Sequence, residues 1–331
     1  MKRKIIKQGH NTLTITLPSE WTKRFNLNSG KEIDLTEREN GLFLSTEKTG
    51  IHKKTEFDIT GMDLPTIWKY FMAVYREGYE EVIIKFNPDI QLENPYKFFS
   101  HHQLDLRYKK EPDKKHIEEI LHGFVTRFIG FEVVEHGKDY IVIREMGEPT
   151  SKEFDNSLRR VFLLIQQMAE ETLEALKTNN SKMLTHMHDV DINIDKFHDY
   201  CIRILNKIGN KEPRKSELLF STLFLLELLG DEFKSISHHL LYDFKQDIHF
   251  NGVITIAQSI KEQFDLFYNL FYNFDKDKLK HLSEIDMGRY FTVTDTRKKT
   301  KDDDVKEIFH HLRVIARYIN ALTELRIEME F

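Results

Sequence analysis

Two pairs of acidic residues have the spacing at which carboxylates on a helix could together bind a cation. Asp191 and Asp195 are four residues apart, and so are Glu227 and Asp231. On a helix, residues four apart share one face, and like charges at that spacing cost a few tenths of a kcal/mol. A bound cation or basic side chains would offset this repulsion. An all-oxygen set of this kind suits a hard or borderline metal such as Mg, Ca, Mn or Fe.

The simpler alternative is that these acids are solvated on two amphipathic helices. Each acid directly follows a position expected in a helix core, namely Val190, Ile194, Leu226 and Gly230. A single such pair is usually only a solvated face. Two pairs in equivalent register on successive helices favour a shared site, and the sequence leaves both interpretations open.

The rest of the sequence offers no reaction chemistry. It has no nucleophile elbow, phosphate-binding loop, dinucleotide fingerprint or zinc-protease motif. It also lacks Glu-x-x-His pairs at the positions that a di-iron bundle would use. Histidine doublets occur without a ligand spacing, and His198, one helical turn after Asp195, is not assigned to the site. We therefore expect a protein that is not an enzyme.

Composition indicates ordinary globular domains, two or three in 331 residues. The longest apolar run, Leu218–Leu229, contains Glu227 and is shorter than the roughly 20 apolar residues of a spanning helix. We expect a buried helix there and no membrane insertion. The charged N-terminus does not resemble a secretion signal. The single cysteine, Cys201, excludes an internal disulfide and fits a cytoplasmic location.

The net charge of −5 is unevenly distributed. Residues 1–50 carry nine Lys and Arg against six Asp and Glu, whereas residues 51–150 carry fourteen against eighteen. The first acid, Glu20, follows four basic residues. A polyanion would therefore meet the first fifty residues. The alternative is that these lysines protect an exposed strand edge.

The first fifty residues are expected to form short strands around one short helix. Alternation in residues 12–17 places Leu13, Ile15 and Leu17 on one strand face. So small a module has a marginal core, which interleaved strands of a dimer would complete. The predicted order is strand Lys4–Lys7, strand Thr12–Leu17, helix Pro18–Phe25, and a hairpin of Glu32–Arg38 and Leu42–Glu47 turning at Asn40-Gly41.

Residues 51–149 predict a small α+β domain. Asp63 is a helix N-cap and Gly78 ends that helix. A strand follows, then a second helix capped by Asp113 and ending at Gly130, and then a hairpin around Gly137. The expected role is a spacer or a signal-transmitting domain.

Residues 150–331 have apolar residues at steps of three and four, which predicts an antiparallel helical bundle. We expect six helices in two sets of three, over about 150–241 and 252–331. The expected helices begin at Ser151, cover 183–208 and 219–237, and then run over Val253–Phe274, Asp275–Gly288 and Asp302–Glu330.

The segment KIIKQGHNTLTITLPSEWTKRFNLNSGKEIDLTERENGLFLS resembles the AbrB/MazE/SpoVT swapped-hairpin domain. The resemblance implies an intertwined homodimer with a β-barrel core that binds DNA. Lysine and arginine would neutralise phosphates, and Asn11 would reach a base edge. The implied DNA contacts are Lys2, Arg3, Lys4, Lys7, His10, Asn11, Lys23 and Arg24.

The segments VDINIDKFHDYCIRIL and LELLGDEFKSIS resemble the acidic motifs of PhoU-like proteins, which are tandem three-helix bundles that bind metal clusters. The resemblance implies that Asp191, Asp195, Glu227 and Asp231 hold a divalent or trivalent ion such as Mg, Ca, Mn, Fe or Zn. In the second repeat, the equivalent positions are Asp286, Tyr290, Asn320 and Glu324, so two carboxylates are missing. A degenerate or empty second site is expected.

Together these patterns predict a multidomain α+β protein with three parts. Residues 1–50 form the swapped-hairpin module, residues 51–149 the α+β domain, and residues 150–331 an all-α PhoU-like pair of three-helix bundles. The expected function is a dimeric, DNA-binding transcriptional or signalling regulator of phosphate uptake, forming a homodimer or a higher homo-oligomer. The alternative is an adaptor that does not bind DNA and regulates a phosphate transporter or its sensor kinase.

Overall fold

The chain divides into two units, Met1–His52 and Lys53–Phe331, and each is described by itself. This computed structural model describes residues 2–9, 11–38, 41–46, 53–93, 114–209, 213–242, 251–299 and 302–331. Four residues singled out in the sequence, His10, Asn40, Glu47 and Asp113, lie outside the described residues. The division into three domains stays a prediction.

The first unit contains two hairpins and one short helix. Strand β1 pairs antiparallel with β2, and β3 with β4. Pro18 precedes the helix α1, where a missing N–H costs nothing. Gly41 begins β4 and pairs with Arg38, so it lies in the strand and not in the turn as predicted. The elements are β1 (Ile6–Gln8), β2 (Thr12–Thr14), α1 (Ser19–Arg24), β3 (Ile33–Arg38) and β4 (Gly41–Thr46).

Within the described residues, the first unit forms no closed barrel, because its two hairpins are separate two-stranded sheets. Trp21 and Phe25 contact each other, with ring centroids 5.8 Å apart, but they are only half-buried. The predicted barrel is therefore not completed by the described residues of one chain. Strands of three to six residues leave too little apolar surface for a core of their own.

The second unit begins with a four-stranded mixed sheet in the order β5-β6-β10-β9, and residues 53–149 are called the sheet part below. Strands β5 and β6 are parallel and are joined by α2. Helices α2 and α3 pack against the sheet in one apolar cluster. The elements are β5 (Lys54–Asp58), α2 (Leu64–Arg76), β6 (Glu81–Lys85), β7 (Gln91–Glu93), β8 (Lys114–His116), α3 (Ile117–Val125), β9 (Phe131–His136) and β10 (Tyr140–Glu145).

The sequence predicted the ends of α2 correctly and those of α3 incorrectly. The Asp63 carboxylate accepts from the N–H of Thr66 at 2.8 Å, and Gly78 has a positive φ of 79° just after the helix. Helix α3 begins only at Ile117, because the preceding residues pair with β7 as strand β8. Strand β5 was not predicted, since its place in the sheet depends on pairing with β6.

The helical part, residues 150–331, contains six long helices among its described residues. Helices α4, α5 and α6 pack on one another, as do α7, α8 and α9, and α4 and α6 join the two sets by packing against α7 and α9. Since α6 packs on α9 at least as extensively as on α5, the predicted division into two sets of three stays a prediction. The helices are α4 (Ser151–Thr178), α5 (Met187–Ile208), α6 (Pro213–Tyr242), α7 (Asn251–Tyr272), α8 (Lys276–Lys299) and α9 (Asp303–Glu328), with a 3-10 turn at Ser181–Leu184.

Local signals set several helix ends in this part. Thr150 and Glu153 form a reciprocal capping box at the start of α4. Asp302 caps α9 by accepting from two backbone N–H groups. Helix α8 extends to Lys299 and not to Gly288 as predicted, because a single glycine does not stop a helix that other helices support. Across the described residues, we find no helix with the length and apolar character to cross a membrane.

Candidate functional site

The two acid pairs lie on α5 and α6, which approach closely at Gly230. A Cβ atom on Gly230 would lie 3.1 Å from Cδ1 of Ile194, so glycine permits a closer approach of the two helices there. Both residues face the bundle core. The acids that directly follow these two residues, Asp195 and Asp231, therefore lie along the same edge of the contact between α5 and α6.

Lys234 on α6 connects the acids of the two helices. Its ammonium group donates to Oδ2 of Asp191 at 2.7 Å and also to Asp231. The Asp191 side chain is buried, with 3% exposure, whereas that of Lys234 is one-third exposed. An internal cation thus offsets part of the repulsion that the sequence predicted.

Two arginines of the sheet part neutralise acids of α5. Arg127, just beyond α3, lies 3.3 Å from Oδ2 of Asp195. Arg76, the last residue of α2, lies 2.6 Å from Oδ1 of Asp199 and has its guanidinium over the ring of Phe224. Charged groups from both parts of the second unit therefore meet at α5.

These groups surround a cavity of about 690 Å³ between the sheet part and the helical part, called the junction cavity below. Its volume lies in the range of small-molecule sites, roughly 300–1,000 Å³. Its walls combine charge with apolar and aromatic surface. The lining residues are Pro65, Trp68, Met72, Arg76, Arg127, His188, Asp191, Ile192, Asp195, Asp199, Phe224, Glu227 and Lys234.

The electrostatics of the junction cavity favour additional positive charge. Burial raises the pKa of Asp191, Asp195 and Glu227, and neighbouring carboxylates raise each pKa further. Burial alone would lower the pKa of Lys234, but the Asp191 and Asp231 carboxylates outweigh it and raise that pKa. The acids are crowded, and the lysine is held in its charged form.

The predicted metal residues meet at the junction cavity, but they do not form a metal cluster in this arrangement. Three of them line it, and the fourth, Asp231, binds the lining residue Lys234. Among the residues that the structure describes, no three His, Cys, Asp or Glu side chains are grouped to hold a metal ion. A lysine lies between the two helices' acids. The metal site stays a prediction, and no step below depends on a metal.

His198 does not line the junction cavity, but it contacts two residues that do, Asp199 and Phe224. Its Nδ1 is 3.1 Å from Oδ1 of Asp199, and its ring meets that of Phe224 edge to face at a centroid distance of 5.2 Å. The side chain is 1% exposed, yet Nε2 has no hydrogen-bond partner among the described residues. A buried ring nitrogen without a partner is costly, unless a water or a ligand supplies one.

Beyond the cavity, α5 is fixed to the sheet part by Arg203, which is fully buried. Its guanidinium donates to the carbonyl oxygens of Tyr75 and Tyr79 at 2.6 and 2.8 Å. It also lies 4.8 Å from the ring centroids of Tyr75 and Phe131. The wall that α2 and α5 provide is therefore held together by a buried, polar contact.

The second set of helices has a polar cluster that includes two of the positions predicted to be equivalent to the acid pairs, Asp286 and Asn320. Arg289 donates to Oε1 of Gln263 at 2.5 Å and to Asp286. Asn320 donates to Oδ2 of Asp286 at 3.1 Å and accepts from Gln263 at 3.1 Å. An arginine and two amides thus surround the single acid. The degenerate second site expected from sequence stays a prediction, and this cluster accords with it.

The described DNA-contact candidates of the first unit are all exposed. Lys7 lies in β1 opposite Leu13, and Lys23 and Arg24 end α1. The other described candidates, Lys2, Arg3, Lys4 and Asn11, lie before β1 or in the turn after it. Their DNA contacts stay a prediction, and His10 lies outside the described residues.

Sequence reasoning did not identify the groups that the sheet part contributes to the cavity. Pro65, Trp68, Met72 and Arg76 recur at steps of three and four on α2. They form a second stripe beside the stripe that packs on the sheet. This periodicity indicates a helix with two packed faces. It does not indicate that the second face of α2 lies opposite α5 across the cavity.

One comparison with known proteins finds a similarity in the first unit. Residues 6–52 match the family model described as antidote-toxin recognition MazE, bacterial antitoxin. The match covers the elements of the first unit and none of the junction cavity. No curated protein matches the chain.

Proposed function

We propose that this protein is a homodimeric DNA-binding regulator, in which the first unit binds DNA and the second unit receives a signal. The observation that carries the proposal is the MazE-family match of residues 6–52, which coincides with the basic, acid-poor start of the sequence. A basic module on an otherwise acidic chain directs a polyanion to that module.

The exposed apolar surface of the first unit supports dimerisation. Among the residues of this unit whose burial is described (2–9, 11–35, 42 and 44), none is buried in the single chain. Leu13 is 67% exposed and Leu35 is 62% exposed, although both lie in strands. Ile5 and Leu42 are similarly exposed. A strand face of this kind is stable only when another chain covers it, and a second copy supplies an identical complementary face.

Regulation of phosphate uptake is the finer part of the proposal. It rests on the resemblance of the two acidic segments of α5 and α6 to PhoU-like proteins. The junction cavity is compatible with a signal-receiving role, because it lies where the sheet part meets the helical part.

The experiment is fluorescence anisotropy of the full chain against random-sequence duplex DNA over a salt series. Wild type is compared with Lys4→Ala/Lys7→Ala and with a control, Lys152→Ala/Lys276→Ala, which removes two exposed lysines of the helical part. We expect salt-sensitive binding whose log–log salt slope falls by about 0.9 for each phosphate that the variant no longer neutralises, with no change in the control. Absence of binding at low salt would contradict the proposal.

That negative outcome would favour a second candidate function, a protein adaptor. The family model of residues 6–52 is described by toxin recognition, a protein contact, and the first unit has exposed apolar strands that suit such a contact. In that function the unit binds proteins and no DNA, and the regulated partner would be a phosphate transporter or its sensor kinase.

A further inference from the structure

The junction cavity is lined by four acids, three Lys or Arg side chains and one histidine, His188. Three of its four lining acids, Asp191, Asp195 and Asp199, are each paired with a separate base. Glu227 is the fourth, and it has no ion pair within 4 Å among the described residues. Lys234, which serves Asp191, is also shared with Asp231. Glu227 is therefore the lining carboxylate at which a cationic ligand would gain a new ion pair.

The shape and composition of the cavity indicate what kind of cation would form this ion pair. A bare metal ion needs several ligands converging on one point, and the described acids do not converge in this way. The cavity is instead of ligand size, about 690 Å³, and Trp68, Met72 and Phe224 give it apolar and aromatic walls. Walls of this kind favour a ligand with a hydrocarbon body and a charged end.

The aromatic walls already receive cations from the protein itself. The guanidinium of Arg127 lies 5.4 Å from the ring centroid of Trp68, and that of Arg76 lies 5.7 Å from that of Phe224. Behind the wall, buried His198 packs edge to face on Phe224 and fixes the position of that ring. The aromatic walls of the cavity are therefore suited to contact with a positively charged group.

We propose that the junction cavity binds a small organic cation, an alkylammonium whose charged nitrogen is taken by Glu227 and whose hydrocarbon part lies against Trp68, Met72 and Phe224. Asp195, at the longest of the three ion-pair distances, is the second acceptor. Because α2 and α5 both form the wall, the bound amine contacts the sheet part and the helical part together. This site goes beyond DNA binding and does not depend on it.

The test uses Trp68 as an internal reporter. The chain has two tryptophans, so Trp21→Phe leaves Trp68 as the only one. The full-length variant is titrated with 1,4-diaminobutane, followed by tryptophan emission and by calorimetry, and in parallel with uncharged 1,4-butanediol and with Mn²⁺. We expect a saturable change with the diamine at one site per chain, and no saturable change with the diol.

Substitutions locate the site. Glu227→Gln should weaken diamine binding by about tenfold or more, as expected for loss of a charge-assisted hydrogen bond. Asp195→Asn is a second variant, expected to weaken binding less because Arg127 already shares that carboxylate. Glu217→Gln changes an exposed acid on the same helix, outside the cavity lining, and should bind like the parent. Thermal unfolding of each variant confirms that it is folded.

Three results would overturn the proposal. They are no saturable response to the diamine, saturation by Mn²⁺ without saturation by the diamine, and equal diamine affinity in Glu227→Gln and Glu217→Gln. Binding is measured without DNA, so failure here leaves the proposal of a DNA-binding regulator standing. Failure of the anisotropy experiment likewise leaves the amine site standing.

Discussion

The guanidinium of Arg203 donates to Oε1 of Glu145 at 2.8 Å, which ties α5 to the end of β10. Both side chains are buried, at 0% and 7% exposure, and Lys207 of α5 also binds Glu145. This contact joins the helical part to the sheet part beside the junction cavity. A change at the cavity wall therefore has a direct physical connection to both parts.

Replacing Arg203 should strongly destabilise the second unit. Arg203→Met leaves the Glu145 carboxylate buried with Lys207 alone and removes the donors to the Tyr75 and Tyr79 carbonyls. Breaking a buried pair on one side typically costs about 3–5 kcal/mol. Urea denaturation measures the change in the free energy of unfolding.

The matched control for that variant is Arg144→Met, on the same strand as Glu145. Arg144 is half-exposed where it pairs with Glu81, so its loss should cost only about 0.2–1 kcal/mol. Arg203→Lys should not restore the wild-type value, because an ammonium cannot reproduce the fork of contacts. Equal losses for Arg203→Met and Arg144→Met would contradict the importance of the buried contact.

The dimer should depend on the exposed strand face of the first unit. Leu13→Glu places a charge on a side chain that is 67% exposed in the single chain and that a second copy would cover. Light scattering should find twice the chain mass of 39.5 kDa for wild type and one chain mass for the variant. Met146→Glu, at an equally exposed apolar side chain of the second unit, should remain dimeric. A monomeric wild type would refute this prediction.

Glu227 should make the stability of the protein depend on pH. Burial, and secondly Asp231, raises its pKa in the folded protein, so the folded state keeps a proton that the unfolded chain, with a Glu pKa of about 4.3, has lost. This stabilisation is fully present below the unfolded pKa and is lost as pH rises through the folded pKa. In Glu227→Gln, the free energy of unfolding should fall less as pH rises above about 4, the pKa range of an unfolded glutamate.

Urea denaturation at a series of pH values measures the slope, and Glu217→Gln, an exposed acid on the same helix, should keep the wild-type slope. Glu227→Gln should also be more stable than wild type at neutral pH, because it removes a partly buried charge that has no ion pair among the described residues. Identical slopes in all three proteins would show that Glu227 has an ordinary pKa.

The stability of the protein should depend on the size of the side chain at position 230. Gly230→Val adds branches beyond the Cβ position that already lies 3.1 Å from Ile194, so α5 and α6 must separate, at a cost of about 1–3 kcal/mol. Gly288→Ala on α8 adds a methyl group where, among the described residues, no atom outside the backbone of α8 lies within 4 Å, and better helix propensity should stabilise the protein by up to about 1 kcal/mol. Thermal denaturation compares the two, and tolerance of valine at 230 would contradict the close packing.

The sequence determined the features that depend on neighbours along the chain. The phase of the apolar residues fixed the buried faces of α4 and α6, and four-residue spacing put each acid pair on one helix face. The Asp63 cap and the glycine at position 78 bounded α2, because both act through backbone groups one turn away.

Only the tertiary structure decided what surrounds those acids. Arg76 and Arg127 reach α5 from positions 123 and 68 residues away from their partners Asp199 and Asp195. Strand β5 likewise exists because β6 pairs with it. The physical reason is that periodicity and capping are local, whereas the charge balance of a buried site depends on which distant side chains the packing of α2 against α5 brings within hydrogen-bond distance.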